Sequence, residues 1–163
     1  MAQSYIERIL NAQVYDVARE TPLDTAPLLS ARLGNQAFLK REDLQPVFSF
    51  KCRGAYNKMV HLDEAARAGG VVAASAGNHA QGVALAASKL GIKATIVMPV
   101  TTPLIKVDAV KALGAKVVMH GDSFDEAAVR ARALTESEGF TFIHPFDDPD
   151  VIAGQGTVAV ELV

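Results

Sequence analysis

Lys51 stands in the short sequence SFKCRGA, with an aromatic residue before it and a flexible Arg-Gly step soon after it. A lysine amine becomes a nucleophile for Schiff-base chemistry when burial or a neighbouring cation lowers its pKa. Phe50 supplies an apolar neighbour and Arg53 a cationic one. Most lysines are solvated surface charges, however, and composition alone would assign Lys51 to that class. The local sequence therefore marks Lys51 as a candidate without deciding its role.

A second stretch, ASAGNHAQG at 74–82, has the composition of an anion-binding turn. Small residues let the backbone approach an anion closely, and free N–H groups at a helix N-terminus favour negative charge. A carboxylate or a phosphate is the expected ligand, and Asn78 adds one neutral hydrogen-bonding side chain. A turn that is rich in glycine for packing alone explains the same composition, and this alternative stays open.

Two common nucleotide-binding motifs do not match this stretch. Gly77 and Gly82 are separated by four residues, whereas a dinucleotide fingerprint requires G-x-G-x-x-G. That fingerprint also requires an acidic residue about 20 positions later, where this chain has Ile96, Val97 and Met98. The Gly-Lys-Ser/Thr of a P-loop is missing as well.

The composition argues against several classes of protein. The chain has 163 residues and a net charge of −2, so neither a nucleic-acid partner nor an anionic membrane is expected. No apolar segment approaches the roughly 20 residues of a membrane span, and the N-terminus does not resemble a secretion signal. Cys52 is the only cysteine, and we interpret it as a small buried hydrophobic residue. The four histidines lack zinc-type spacing, so we expect no metal site, and we expect a cytoplasmic protein.

Short apolar runs alternate with amphipathic segments after residue 70 and predict an α/β fold. The runs are continuous and rich in valine and isoleucine, as in strands buried on both faces. Ser123 and Glu126 form a capping box that starts one intervening helix. We therefore predict an open, twisted parallel sheet of about four strands with right-handed crossovers. The runs lie in VVAASAG, ATIVMP, AKVVMHG and FTFIHPF, and the helix-ending glycines are Gly91, Gly114 and Gly139.

Other patterns predict elements outside this sheet. Apolar residues at helical spacing predict one helix over residues 4–18 and another over 54–68. LLSARL and QAFLKRE flank Gly34-Asn35 and predict a β-hairpin. The final VIAGQGTVAVELV begins a helical pattern and stops without a cap, so we interpret the chain as incomplete.

SFKCRGAYNKM and ASAGNHAQGVALAASKLG together closely resemble the fold-type II pyridoxal-phosphate enzymes, and the threonine dehydratases (threonine ammonia-lyases) are the nearest branch. GAKVVMHG and HPFDDPDVIAGQGT continue the likeness, which spans essentially the whole chain. The resemblance implies pyridoxal 5′-phosphate as the cofactor, an amino acid as the substrate and a homo-oligomeric protein. It also implies the small α/β domain of a tryptophan-synthase-β-like fold beside an incomplete second domain.

The resemblance implies a role for each matching position. Lys51 would hold the cofactor covalently, and Phe50 would pack against its pyridine ring. Asn78 would hydrogen-bond the 3′-oxygen of the cofactor. The substrate carboxylate would be held mainly by the backbone of the turn, at Ser75, Ala76, Gly77, Asn78 and His79.

The implied reaction converts L-threonine to 2-oxobutanoate and ammonia, with Lys51 removing the α-proton. Related serine racemases carry a serine where this chain has Ala76, and a methyl group cannot transfer a proton. Elimination is therefore favoured over racemisation. A serine/threonine dehydratase or another β-eliminating enzyme remains an alternative, as does a non-catalytic α/β module.

The resemblance also implies a division into domains. Residues 1–69 would begin a large cofactor domain, 70–144 would form a small α/β domain, and 145–163 would start the return into the large domain. The glycine-rich phosphate loop and the partner of the pyridine nitrogen would lie beyond Val163, so we expect this chain to be inactive on its own.

Overall fold

The computed structural model describes residues 4–163, and the elements follow one another in chain order. The helices are α1 (Tyr5–Leu10), α2 (Pro27–Leu33), α3 (Lys51–Val60), α4 (Glu64–Gly69), α5 (Asn78–Leu90), α6 (Leu104–Ala112), α7 (Phe124–Glu138) and α8 (Pro149–Val160). The strands are β1 (Leu23–Thr25), β2 (Phe38–Lys40), β3 (Val71–Ala74), β4 (Ala94–Met98), β5 (Lys116–Met119) and β6 (Thr141–Phe142). Within these residues, every helix is too short or too polar to cross a bilayer.

The central sheet contains four parallel strands in the order β5-β4-β3-β6. Strands β3 and β4 are buried along their whole length, as their continuous apolar runs predict. The capping box of Ser123 and Glu126 starts α7, and Gly91 and Gly139 end α5 and α7 in the left-handed conformation. The predicted α/β fold with an open parallel sheet is confirmed.

Alternate residues of β3 serve two separate cores, because successive side chains of a strand point to opposite faces. Val71 and Ala73 belong to the core that contains buried residues of α5 and α6. Val72 and Ala74 belong to the core that contains buried alanines of α7. Helices thus cover both faces of the sheet.

Helix α3 lies between α5 and α8 and makes close backbone contact on both sides. A Cβ atom on Gly82 of α5 would lie 2.9 Å from the carbonyl oxygen of Lys51. A Cβ atom on Gly154 of α8 would lie 2.6 Å from the carbonyl oxygen of Arg53. Only glycine permits such close approach at these two positions. The first turn of α3, which carries Lys51, is therefore fixed by two neighbouring helices.

The predicted hairpin around Gly34-Asn35 is wrong. LLSARL forms α2, which begins with Pro27 in its first turn and ends at Gly34 in the left-handed conformation. Proline at a helix start and glycine after its end are strong helix signals, and here they override the turn signal of Gly-Asn. The antiparallel partner of β2 is instead β1, with Leu23 opposite Lys40.

Both helix predictions outside the sheet need corrected bounds. The helix predicted over residues 4–18 ends at Leu10, where Asn11 provides the C-cap. The segment predicted as one helix over 54–68 consists of α3 and α4, because the Asp63 side chain caps a new helix by accepting the Ala66 N–H. Helix α3 also begins earlier than predicted, at Lys51 itself.

Candidate active site at the carboxyl ends of two strands

The strand order reverses beside β3. Strands β4 and β5 follow β3 on one side, whereas β6 pairs with its other side. In open α/β sheets, ligands bind outside the carboxyl ends of the strands at such a reversal. The turn Ser75–Gly77 follows β3 and the segment Ile143–Pro145 follows β6, so the topology brings these two segments together.

The turn after β3 leads directly into the N-terminus of α5. No side chain caps this helix, so the N–H groups of its first turn remain available to an anion. Ser75 Oγ accepts a hydrogen bond from the Gly77 N–H at 3.2 Å, which supports the turn from inside. A Cβ atom on Gly77 would meet no atom within 4 Å, so the turn faces open space.

Lys51 is half-buried, and its Nζ donates a hydrogen bond of 2.7 Å to the carbonyl oxygen of Pro145. The same Nζ lies 5.6 Å from the centroid of the Phe50 ring. Burial lowers the pKa of the Lys51 amine. Among residues 4–163 no carboxylate forms an ion pair with it, so no counterion offsets the effect of burial.

Arg53 does not lower the pKa of Lys51, in contrast to the sequence-based expectation. Its guanidinium is fully buried and donates to Glu42 at 2.8 and 2.9 Å, and it lies 2.6 Å from Glu161. Burial alone would lower the pKa of Arg53, but the hydrogen bonds and charges of the two carboxylates raise it. Its charge is thus neutralised locally, and burial alone accounts for the lowered pKa of Lys51.

His79 is buried at the start of α5, and its side chain bonds to the segment after β6. Its Nε2–H donates to the carbonyl oxygen of Ile143 at 3.0 Å, which leaves Nδ1 buried without a hydrogen-bond partner in the described residues. Burial lowers the pKa of His79 to about 4, so the ring is neutral near pH 7. The family resemblance implied mainly a main-chain role for this residue.

The segment after β6 is the part of the site that sequence reasoning missed. HPFDDPD contributed to the family likeness, but no role was predicted for Ile143 or for Pro145. His144 Nδ1 accepts the N–H groups of Phe146 and Asp147 at 3.3 and 2.7 Å, so the segment is also bonded internally. The signal that could have revealed it was the fourth apolar run, FTFIHPF, since the segments that follow parallel strands meet at one edge of the sheet.

The remaining residues singled out in the sequence occupy contrasting positions. Cys52 is fully buried, and burial raises the pKa of its thiol to about 11, in agreement with its interpretation as a small buried hydrophobic residue. Asn78 is exposed at the first position of α5, and Ala76 is half-buried. Phe50 is 40% exposed and borders the Lys51 amine. Phe50, Ala76 and Asn78 are therefore accessible to solvent, whereas Cys52 is not.

The family of pyridoxal-phosphate dependent enzymes matches residues 14–163. The chain belongs to this family. It is 63% identical over 161 residues to the biosynthetic, chloroplastic threonine dehydratase of Arabidopsis thaliana, an alignment that covers 99% of this chain and 27% of that protein. This membership confirms the predicted family and its cofactor.

Two solved structures superpose closely on this chain. The processed form of threonine deaminase isoform 2 from Solanum lycopersicum has a TM-score of 0.92 and 57% identity, covering 97% of this chain and 44% of that one. Maize serine racemase has a TM-score of 0.91 and 37% identity, and the match covers 96% of this chain and 48% of the racemase chain. The chain thus spans less than half of each of these proteins, and its fold is shared by enzymes named for different reactions.

The residues at this edge fit pyridoxal phosphate. An aldehyde requires an amine in its neutral form, which burial favours at Lys51. A flat ring requires open space, and the turn faces such space at Gly77, where a Cβ atom would meet no atom within 4 Å. The exposed amide of Asn78 would be accessible to an oxygen atom on the ring, and the uncapped N-terminus of α5 would be accessible to an anionic group of the substrate.

Proposed function

We propose that this chain is the lysine-bearing part of a pyridoxal-phosphate-dependent threonine dehydratase, which converts L-threonine to 2-oxobutanoate and ammonia in isoleucine biosynthesis. The relatives named threonine dehydratase and threonine deaminase support this substrate. The observation that carries the proposal is the half-buried Lys51 amine, bonded to the segment after β6 and free of any carboxylate among residues 4–163. The whole protein would be a cytoplasmic homo-oligomer.

Lys51 has two roles in this proposal. Its Nζ would hold the cofactor, and the neutral amine would then accept the proton from the α-carbon of the substrate. When bound, pyridoxal phosphate supplies an electron-withdrawing ring that stabilises negative charge at that carbon. Phe50 would pack against the ring and Asn78 would hydrogen-bond its 3′-oxygen. The substrate loses its β-hydroxyl as water and takes up one water as ammonia leaves, which balances the reaction.

The substrate carboxylate would be held by the turn and the first turn of α5. The backbone at Ser75, Ala76 and Gly77 and the N–H groups of Asn78 and His79 would provide the donors. This arrangement fixes the α-carbon relative to the Lys51 amine. The protein's contribution is therefore orientation of the substrate and placement of one base.

Ala76 favours elimination over racemisation. The fold does not separate the two reactions, because a serine racemase superposes with a TM-score of 0.91. Ala76 lies in the turn, half-buried, and its methyl group cannot deliver a proton to the second face of the substrate. A serine/threonine dehydratase uses the same groups, so turnover of threonine against serine by the whole protein distinguishes these two alternatives.

We also propose that residues 1–69 and 145–163 belong to one domain and residues 70–144 to another. Packing of α3 against α8 supports the first grouping, since Gly54 and Gly154 allow close contact between these helices. The parallel sheet with α5, α6 and α7 supports the second. The site would then lie where the two units meet.

Reductive labelling tests the proposed role of Lys51. The chain is incubated with pyridoxal phosphate, reduced with borohydride and mapped by mass spectrometry. We expect the label at Lys51 and its loss in Lys51→Ala. Lys58→Ala is the matched control, because Lys58 lies on the same helix and is also half-buried, but its Nζ pairs with Asp148 at 2.9 Å. Labelling scattered over exposed lysines such as Lys89 would instead favour a non-catalytic α/β module.

A further inference from the structure

Lys51 and His79 come from different helices and bind the same short segment. Lys51 Nζ donates to the carbonyl oxygen of Pro145, and His79 Nε2–H donates to that of Ile143. These two carbonyl groups lie two residues apart in a segment that follows the two-residue strand β6. The site therefore contains a continuous chain of contacts from α5 through this segment to the amine.

The segment needs support beyond the strand that precedes it. The Ile143 N–H donates to the Val72 carbonyl at 2.9 Å, and Pro145 has no N–H with which to continue the ladder. The bond from His79 is the next contact along the segment toward Pro145. It therefore fixes the backbone immediately before the carbonyl that receives Lys51.

The His79 side chain is buried and keeps the same protonation state and the same hydrogen bond over a wide pH range. It is 3% exposed, and its one hydrogen bond within the described residues is the bond to Ile143. The titratable groups that face it are Lys51 from α3 and His144 from the segment after β6. Because burial lowers its pKa to about 4, the ring stays neutral across the range in which enzymes ordinarily work.

We propose that His79 is a positioning residue for Lys51: through Ile143 its imidazole sets the place of the Pro145 carbonyl, and that carbonyl holds the Lys51 amine. This inference rests on the proposed role of Lys51 and adds a side-chain role for His79. A carbonyl oxygen holds the amine without the full negative charge of a carboxylate, which would favour the ammonium form more strongly.

The test measures the Lys51 amine directly, without cofactor. The chain is treated with a trace of an acylating reagent at a series of pH values, and labelling of Lys51 is compared by mass spectrometry with that of exposed Lys89. In His79→Leu the segment loses its support and the amine becomes more solvated. We expect the labelling midpoint of Lys51 to rise by about one pH unit, which is roughly tenfold less labelling at pH 8.

His79→Gln provides the matched control, since its side-chain N–H can replace the donor at Nε2. We expect its labelling midpoint to remain that of the unmodified chain. If His79→Leu does not fold, His79→Asn serves in its place, because its shorter amide cannot reach Ile143. An unchanged midpoint in the leucine or asparagine variant, or an equal shift in the glutamine variant, overturns the inference. Failure of pyridoxal phosphate to label Lys51 would overturn the proposed function separately.

Discussion

Lys51 and Arg53 are two residues apart on α3 and end in opposite electrostatic surroundings. The Arg53 guanidinium is fully buried against Glu42 and Glu161, whereas the Lys51 amine is half-buried against a backbone carbonyl. The pKa of Arg53 is raised and the pKa of Lys51 is lowered. Burial acts in the same direction on both groups, so the carboxylates account for the difference.

This comparison shows how one helix carries a paired, buried cation and an amine with a lowered pKa close together. The Arg53 cluster includes Lys40, whose Nζ lies 2.6 Å from Glu161, so two cations face two carboxylates. The cluster ties α3 to residues at both ends of the chain without leaving an unpaired negative charge beside Lys51. The amine can then be buried without acquiring a counterion.

Removing the charge of Arg53 should have the largest effect. Arg53→Leu leaves Glu42 and Glu161 buried with one cation fewer, and breaking such a buried pair costs about 3–5 kcal/mol. We expect the free energy of unfolding, measured with urea, to fall by about this amount. Arg41→Leu is the matched control, because Arg41 also pairs with two carboxylates but is 34% exposed. Its loss should lower the free energy of unfolding much less, because solvent screens an exposed ion pair, and equal losses would contradict the distinction.

Acid should weaken the Arg53 cluster in a defined pH range. Burial alone would raise the pKa of Glu161, but hydrogen bonds from Arg53, Lys40 and Tyr15 lower it to about 2. A carboxylate with a lowered pKa stabilises the fold above its ordinary pKa and loses that contribution as pH falls toward the folded value. The free energy of unfolding should therefore fall between about pH 5 and pH 2, by on the order of 2–3 kcal/mol more than in Glu161→Gln. Parallel curves for the two proteins would refute this assignment.

Placing a carboxylate beside Lys51 should raise its pKa, as the carboxylates beside Arg53 raise the pKa of that residue. The Phe50 ring centroid lies 5.6 Å from Lys51 Nζ, so Phe50→Glu brings a negative charge within reach. We expect the pKa of Lys51 to rise by about one unit, with roughly tenfold less trace acylation at pH 8. Phe50→Gln has nearly the same shape without the charge and should leave the acylation profile closer to that of the unmodified chain. No difference between these two variants would show that counterions do not control the amine.

Much of the fold could be predicted because the relevant signals are local. The apolar runs of β3 and β4, the capping box at Ser123 and the glycines after α5 and α7 act within a few residues. The hairpin prediction failed where two local signals competed, and the helix-starting proline at residue 27 prevailed over Gly34-Asn35. Asp63 was overlooked as a cap because the apolar periodicity continues across it.

The site could be predicted only in part, because its decisive contacts are distant in sequence. Family resemblance selected Lys51 and the turn after β3, and the structure places both beside the same segment. The bond from Lys51 to Pro145 joins residues 94 positions apart, and no local pattern encodes it. The same limit applies to Arg53: the local sequence presents it as a cationic neighbour of Lys51, because its neutralising partner Glu161 is 108 positions further along the chain.

The reversal of strand order also fixes when the amine can be positioned. During synthesis β3, β4 and β5 emerge and can pair before β6 exists. The Pro145 carbonyl, which accepts the hydrogen bond from Lys51, lies after β6 in the chain. Long-range contacts of this kind form only after the cost of closing a long loop has been met. The contact that positions the Lys51 amine can therefore form only after β6 has been synthesised, so a shorter nascent chain cannot yet hold this amine in place.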